Sequence, residues 1–438
     1  MRAPKKVSCD TLILGGGIAG LTAAYVLAKQ GKKVVLVEKE PALGGAIFSY
    51  VFPSFTIEAY YHHFFPWDKD IQWMIQELGM RHSITWGEPL TAFYHQGKYH
   101  RLLKPMDLFS FSPLSILGKM EFARLMLKIK MIKDPGGYDT VSAYDFITLH
   151  GGKHVFQELF SFLLASKFGT DGHDISAAWF IERLQLRSNV GKKGEVLGYL
   201  GGGFYQLVSE IAQKISGFGG KIILGAHIDS IAHNHTTHTI TSICFQEKER
   251  VEIFPKYVVS TIPPSVLGSL INFPEQYQEQ LAKTQYQPAI CLLAGLKKQI
   301  TPYYWTNMLE RECAFGAIVE QTNFIPKEQY EGIHLAYLAS YVPQTSPLLT
   351  IPEHKIRDMY LNDLKRFFDV ALEDVIWVKA GRLRTAGIIY TTGIKNALLP
   401  YETPISNLVM GGLFNSYPER TIDTSIRIGR TLAGKCHA

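Results

Sequence analysis

Thr11-Leu12-Ile13-Leu14-Gly15-Gly16-Gly17-Ile18-Ala19-Gly20-Leu21-Thr22-Ala23-Ala24-Tyr25-Val26-Leu27-Ala28 decides the fold, together with Gly31 and Lys33-Val34-Val35-Leu36-Val37-Glu38 just beyond it. The short apolar run before Gly15 reads as a buried strand, the stretch from Leu21 to Ala28 as a helix ended by Gly31, and Lys33–Val37 as a second strand. This βαβ unit of about 30 residues is the context that gives a Gly-x-Gly-x-x-Gly match its meaning. Gly15 makes the tight turn out of the strand. Gly17 lets backbone approach a pyrophosphate, and Gly20 lets helix and strand pack closely. Ile18 and Ala19 stand in the turn before the helix, whose N-terminus presents free N–H groups and a partial positive charge to those phosphates. Glu38, 18 residues beyond Gly20, is placed to accept hydrogen bonds from ribose hydroxyls. The motif predicts a dinucleotide site.

The rest of the composition fits such a chain. Its 438 residues exceed one simple core and predict two or three domains. With 46% hydrophobic and 19% charged residues, it is neither disordered nor of low complexity. A net charge of +6 is too small and too dispersed to argue for nucleic acid. Cys9, Cys244, Cys291, Cys313 and Cys436 are odd in number and form no Cys-x-x-Cys pair, which argues against a disulfide scaffold or zinc ribbon. The uncharged span Thr11–Ala28 is long enough to tempt a membrane-spanning reading, but three consecutive glycines and Thr22 make it a poor lipid-facing helix. A cytoplasmic protein without a spanning helix is expected.

After Glu38 come Lys39-Glu40-Pro41-Ala42-Leu43-Gly44-Gly45-Ala46. A second glycine pair behind the second strand brings another loop against the cofactor's phosphates. Here the chain resembles the flavin-containing amine oxidase superfamily, which includes protoporphyrinogen oxidases, phytoene desaturases and, more distantly, UDP-galactopyranose mutase. That resemblance implies FAD held around Gly15, Gly17, Ile18, Ala19, Gly20, Glu38, Lys39, Gly44, Gly45 and Ala46; no Cys or His stands where covalent attachment would demand one, so the FAD is expected to be non-covalent. The family often has Arg after its glycine pair. Ala46-Ile47 stand there instead, so no Arg contact to pyrophosphate is carried over.

Later segments resemble the remaining pieces of the same flavin domain. Gly201-Gly202-Gly203 precedes a helix pattern with Phe204, Leu207, Ile211 and Ile215, and strands Lys221–Leu224 and His227–Ile231 follow Gly219-Gly220. By resemblance, the backbone of Ile228 meets adenine, and Tyr257–Thr261 is the returning strand. Asn407–Met410, Gly411-Gly412 and a helix from Thr421 to Ala433 complete the set. Thr421, Ile422 and Asp423 are thereby placed near the isoalloxazine, with Gly412 in the preceding loop. The expected fold is α/β: an FAD-binding Rossmann-like domain built from residues 1–65, 200–265 and 405–438, with an inserted α+β substrate domain from 66–199 and 266–404.

The implied function is FAD-dependent oxidation or dehydrogenation of an apolar or amphipathic small molecule, with hydride passing to the flavin. The alternative is non-redox sugar-nucleotide isomerisation of the mutase kind. Several clusters are candidates for the chemistry. His62 and His63, in Tyr60-Tyr61-His62-His63-Phe64-Phe65, read either as acid, base or flavin-carbonyl partner, or as structural histidines. Tyr304 and Trp305 read as pocket lining or as core. Trp179, Arg183 and Arg187 fall at four-residue steps on one helix face. With Lys167, the two arginines read as a phosphate or carboxylate site or as surface salt bridges. Tyr417 or Arg420 is expected to touch cofactor or substrate. His233, His235 and His238 imitate a zinc cluster, but a hairpin turn explains them better, so no metal is expected. Residues 105–133, apolar with interspersed Lys and Arg, read as a peripheral membrane contact or as a helix packed into the substrate domain.

Overall fold

A computed structural model of the protein describes residues 4–169, 172–188, 195–234, 236–246 and 250–436. The first strand, Lys5–Leu14, lies inside a seven-stranded sheet, pairing in parallel with Arg250–Ser260 on one side and Val34–Val37 on the other. Lys221–Ile223 extends the sheet beyond Val34–Val37, and Leu408–Met410 pairs in parallel with Val258–Ser260. A hairpin of His227–Asn234 and Thr239–Gln246 adds antiparallel to the first half of Arg250–Ser260. All four residues of Val34–Val37 are buried, as continuous apolar strands of covered parallel sheets require. Helix Ile18–Lys29 packs against both Phe204–Gly217 and Ile422–Lys435. One layered unit is thus assembled from distant parts of the chain.

A second seven-stranded sheet runs in the order Val375–Ile388, Tyr286–Leu296, His334–Tyr341, Ala317–Glu320, Trp305–Met308, Thr91–His95 and Lys98–His100. Helix Glu353–Phe368 buries Ile356, Tyr360 and Leu364, which join the strand residues Ile290, Leu292 and Leu338 in one apolar cluster. Helices Ile116–Met131, Ala143–His150, Ser161–Phe168 and Ala177–Ser188 form a further layer.

Glu58 ties these parts together. Its buried carboxylate accepts from the Tyr199 hydroxyl at 2.6 Å and the Phe204 N–H at 2.5 Å, and its carbonyl accepts from the Tyr337 hydroxyl at 2.9 Å. Burial pushes its pKa up, opposed by these two donors to the carboxylate. Three details differ from the sequence reading. The first strand begins at Lys5, because its early residues pair with Val251–Pro255. The first insertion, expected from its periodicities to be mainly helical, also contributes strands: Thr91–His95 and Lys98–His100 extend the second sheet, and Ile84–Gly87 pairs with Leu197–Leu200. Residues 105–133 form two helices, Asp107–Ser110 and Ile116–Met131. No helix among the described residues is long and apolar enough to cross a membrane.

Candidate active site

The glycine turn is built as its spacing predicts. Gly15 adopts φ +107°, a left-handed backbone in which a Cβ would also sit 2.5 Å from Thr261 Oγ1. A Cβ on Gly20 would lie 2.0 Å from the Gly15 carbonyl oxygen, so helix and turn meet at a distance only glycine allows. Gly17 is the reverse case, since a Cβ there would meet no atom within 4 Å. Helix Ile18–Lys29 starts from Gly17 with no side-chain cap and no acidic residue in its first turn, leaving its N–H groups for an anion. The Gly44-Gly45 loop closes the other wall: the Gly44 N–H donates to the Gly16 carbonyl at 3.0 Å, and Gly45 packs on Gly17. Glu38 is held at this rim, accepting from Gly16 N–H at 2.6 Å and Glu40 N–H at 2.9 Å.

Other predicted cofactor residues take different places. Thr261 lies beneath the turn, its hydroxyl donating to Leu14 O at 2.9 Å, and so supports Gly15. Lys39 is exposed and pairs with Glu40 at 3.3 Å. Ile228 is half-buried in the outer hairpin opposite Phe245. The Gly412 N–H donates to Asn415 Oδ1. Ala46 lines a small 70 Å³ space together with Tyr60, Tyr61 and His62.

That space shares Tyr61, His62, Ala339, Tyr341 and Ala386 with a larger cavity of about 320 Å³. His62, His63, Arg183, Trp305, Arg420, Thr421 and Ile422 all line the larger one, joined by Lys167, Trp179, Tyr390 and Glu419. The last helix starts at this wall, with Thr421 Oγ1 accepting from the Thr424 N–H as its cap. Arg420 is stacked 4.7 Å from the Tyr341 ring, and its Nη2 is buried without a hydrogen-bond partner. Arg183 is ion-paired with Glu419, and Lys167 lies 5.7 Å over the Trp179 ring.

Burial holds His62 down at about 4, so the imidazole is neutral near pH 7. Its Nδ1 lies 2.7 Å from the Tyr60 carbonyl and must carry the proton, which leaves Nε2 as a pure acceptor. His62 is therefore neither a general acid nor a donor to a flavin carbonyl, which corrects those two sequence readings.

Of the two readings given for Tyr304, the side chain takes the buried one and does not line the cavity. It is buried behind the cavity wall, and its hydroxyl lies 3.1 Å from His63 Nδ1, so it positions that imidazole. Tyr417 packs its ring on Tyr390 outside the lining, and Arg420 is the member of that pair facing the cavity. Helix Ala177–Ser188 carries Arg187, whose side chain lies outside the described residues, as does His235. His233 and His238 flank a hairpin turn in which Asn234 Oδ1 accepts from Thr236 and Thr237 N–H. Among the described residues there is no cluster of three metal-ligating side chains.

The family model described as flavin-containing amine oxidoreductase matches residues 18–437. The chain belongs to this family. Membership brings the oxidoreductase class and FAD as cofactor. A probable flavin-containing monoamine oxidase A of Dictyostelium discoideum is 23% identical over 318 residues, covering 67% of this chain and 65% of its own. The iron-sulfur subunit of a CoB–CoM heterodisulfide reductase of Methanopyrus kandleri is 62% identical over 40 residues, 9% of this chain and only 6% of that protein. Among solved structures, a chain of Exiguobacterium sp. 255-15, solved under a protoporphyrinogen oxidase name, aligns with TM-score 0.74 at 16% identity, covering 99% of each chain. Reduced UDP-galactopyranose mutase aligns with TM-score 0.72 at 16% identity over 98% of this chain and 93% of its own. These two likenesses establish the fold.

FAD fits the residues present. The open space at Gly17, the uncapped helix start and the fixed Glu38 carboxylate match a diphosphate and a ribose. Sequence reasoning missed Glu58, Tyr61, Tyr341, Tyr390 and Glu419. Of the remaining cavity residues, Trp179 was legible through its four-residue step to Arg183.

Proposed function

We propose that this oxidoreductase removes hydrogen from an amphipathic small molecule whose apolar body carries an anionic group, and not from an alkylammonium ion. The observation that carries the reading is the charge of the cavity. Lys167, Arg183 and Arg420 face it, while the only carboxylate among its described lining residues, Glu419, is already paired with Arg183. An anionic end gains charge-assisted hydrogen bonds from guanidinium groups there, whereas an ammonium would be repelled in a desolvated space. Trp179, Tyr390, Phe160, Tyr61 and Trp305 offer aromatic walls to the apolar body.

Bound FAD supplies a two-electron acceptor for a hydride, to be reoxidised by oxygen or another acceptor. The protein's own residues do the rest. Arg420 holds the anionic end and fixes the substrate's direction, while the aromatic walls exclude water. The Nε2 of His62 takes the proton that leaves with the hydride, and the Tyr60 carbonyl keeps that nitrogen free. The test is ligand binding to the FAD-loaded enzyme, read by perturbation of the flavin spectrum. A medium-chain carboxylate binds at least about tenfold more tightly than the amine of equal length. Equal or tighter amine binding would overturn the proposal.

A further inference from the structure

Helix Ile116–Met131 has two apolar faces, and only one of them is used inside the protein. Leu125 and Ile129 are buried against the helical layer, and Phe122 and Met126 pack beside them. On the opposite side Ile116, Met120, Leu127 and Met131 are 81%, 64%, 65% and 78% exposed. At 100° per residue these four fall within an arc of about 60°. Lys119 and Lys130 flank one edge of this stripe, and Arg124 and Lys128 flank the other. Next to its first turn, on the short helix Asp107–Ser110, Phe109 is 77% exposed, and the Lys119 ammonium donates to the Phe109 carbonyl at 2.8 Å.

The charge on this surface is as lopsided as its hydropathy. Residues 101–133 hold seven basic and two acidic side chains, a net of five out of the chain's six positive charges. Both acids, and the neighbouring Glu158, are bound inward. Asp107 accepts from Leu103 and Lys104 N–H, Glu121 from Val155 N–H and His154, and Glu158 from Ser115. Lys104, Arg124, Lys128, Lys130 and Lys133 form no ion pair with a described carboxylate.

We infer that this face docks on an anionic lipid bilayer surface. The apolar stripe enters the headgroup boundary, and the lysines and arginines on both edges reach up to lipid phosphates. A protein partner would need its own acidic rim to match two rows of cations about an apolar strip, whereas an anionic bilayer supplies both chemistries everywhere. The arrangement also bears on the cavity. Gln185 donates to the carbonyls of Ile129 and Ile132 at 2.9 and 2.8 Å, so the docking helix is fastened to the helix that carries Trp179, Phe180, Arg183 and Leu184 of the cavity wall. A lipid surface is then held one helix away from the space proposed to receive an amphipathic substrate.

The experiment is co-sedimentation of the full FAD-loaded chain with vesicles of phosphatidylcholine containing about one-third phosphatidylglycerol, beside phosphatidylcholine alone. The expected result is binding to the anionic vesicles, at least about tenfold weaker binding to the neutral ones, and release at high salt. The triple variant I116S/M120S/L127S and the double variant K130Q/K133Q each lose on the order of tenfold in partitioning, with flavin spectrum and thermal midpoint unchanged. Absence of binding to either vesicle, or undiminished binding of the triple variant, overturns the inference. So does a wild-type dimer that I116S/M120S/L127S converts to monomer, because the stripe then belongs to a second copy. Sedimentation is independent of turnover, so the substrate proposal can fail while this one stands.

Discussion

Replacing Gly17 by alanine separates folding from cofactor binding, because nothing in the protein occupies the space its methyl would enter. Gly17 has φ −71° and ψ 173°, open to any residue, so no backbone strain arises. Losing glycine at the helix N-cap costs about 0.5–1 kcal/mol, and the stiffer unfolded chain returns about the same. The apo protein should therefore unfold within ~0.5 kcal/mol of wild type. With FAD present the same methyl stands where the diphosphate must lie. A ten- to hundredfold weaker affinity is expected, about 1.4–2.7 kcal/mol. At saturating cofactor this lowers the thermal midpoint by a few degrees, on the order of the lost linkage energy. Gly20→Ala is the contrast: its methyl would sit 2.0 Å from a backbone oxygen, so it destabilises the apo protein itself, by about 3 kcal/mol. Differential scanning calorimetry with and without FAD, together with isothermal titration, reads both effects. Unchanged FAD affinity in Gly17→Ala would refute the placement of the diphosphate.

Three further outcomes follow from the buried groups. Glu58→Ala strands the Tyr199 hydroxyl and Phe204 N–H and should cost about 3 kcal/mol in urea unfolding, while Glu58→Gln keeps an acceptor for one of them and recovers much of it. His62 sits at about 4 in the fold against 6.5 in the open chain, so the unfolded state takes the proton first. Its penalty is absent above pH 6.5, grows as pH falls toward 4, and is constant below, ~3 kcal/mol in all. His62→Gln should flatten that acid loss of stability and also slow single-turnover flavin reduction by about a hundredfold. Arg420→Gln should raise KM for an anionic substrate about tenfold with kcat nearly kept, read by steady-state kinetics.

The first βαβ unit was legible because its parts are local, whereas the later strands of the same sheet lie far along the chain and were expected only from the family resemblance. The glycine turn, the strand–helix periodicities and the Glu38 spacing each sit within a few tens of residues. The cavity was half legible. His62, Arg183, Trp305 and Arg420 stood out as reactive or cationic types in aromatic surroundings, but which of Tyr304 and Trp305 faces the cavity depends on the register of strand Trp305–Met308 beside Ala317–Glu320. That pairing is non-local, and the single sequence carries no sign of it. Glu58 gave no signal because its partners lie 141 and 146 residues away. Helix Ile116–Met131 resisted reading for another reason. Apolar residues on both faces cancel the amphipathic periodicity, so membrane contact and core packing looked alike in the sequence.

Anaerobic rapid mixing of the FAD-loaded protein with two substrates of one hydrocarbon skeleton, one ending in a carboxylate and the other in a primary amine, tests the account most directly. Stoichiometric bleaching of the flavin by the anionic molecule, with an oxidised product and little response to the amine, is the predicted result. Reduction by the amine alone, or conversion of a sugar nucleotide with no net electron transfer, would contradict it.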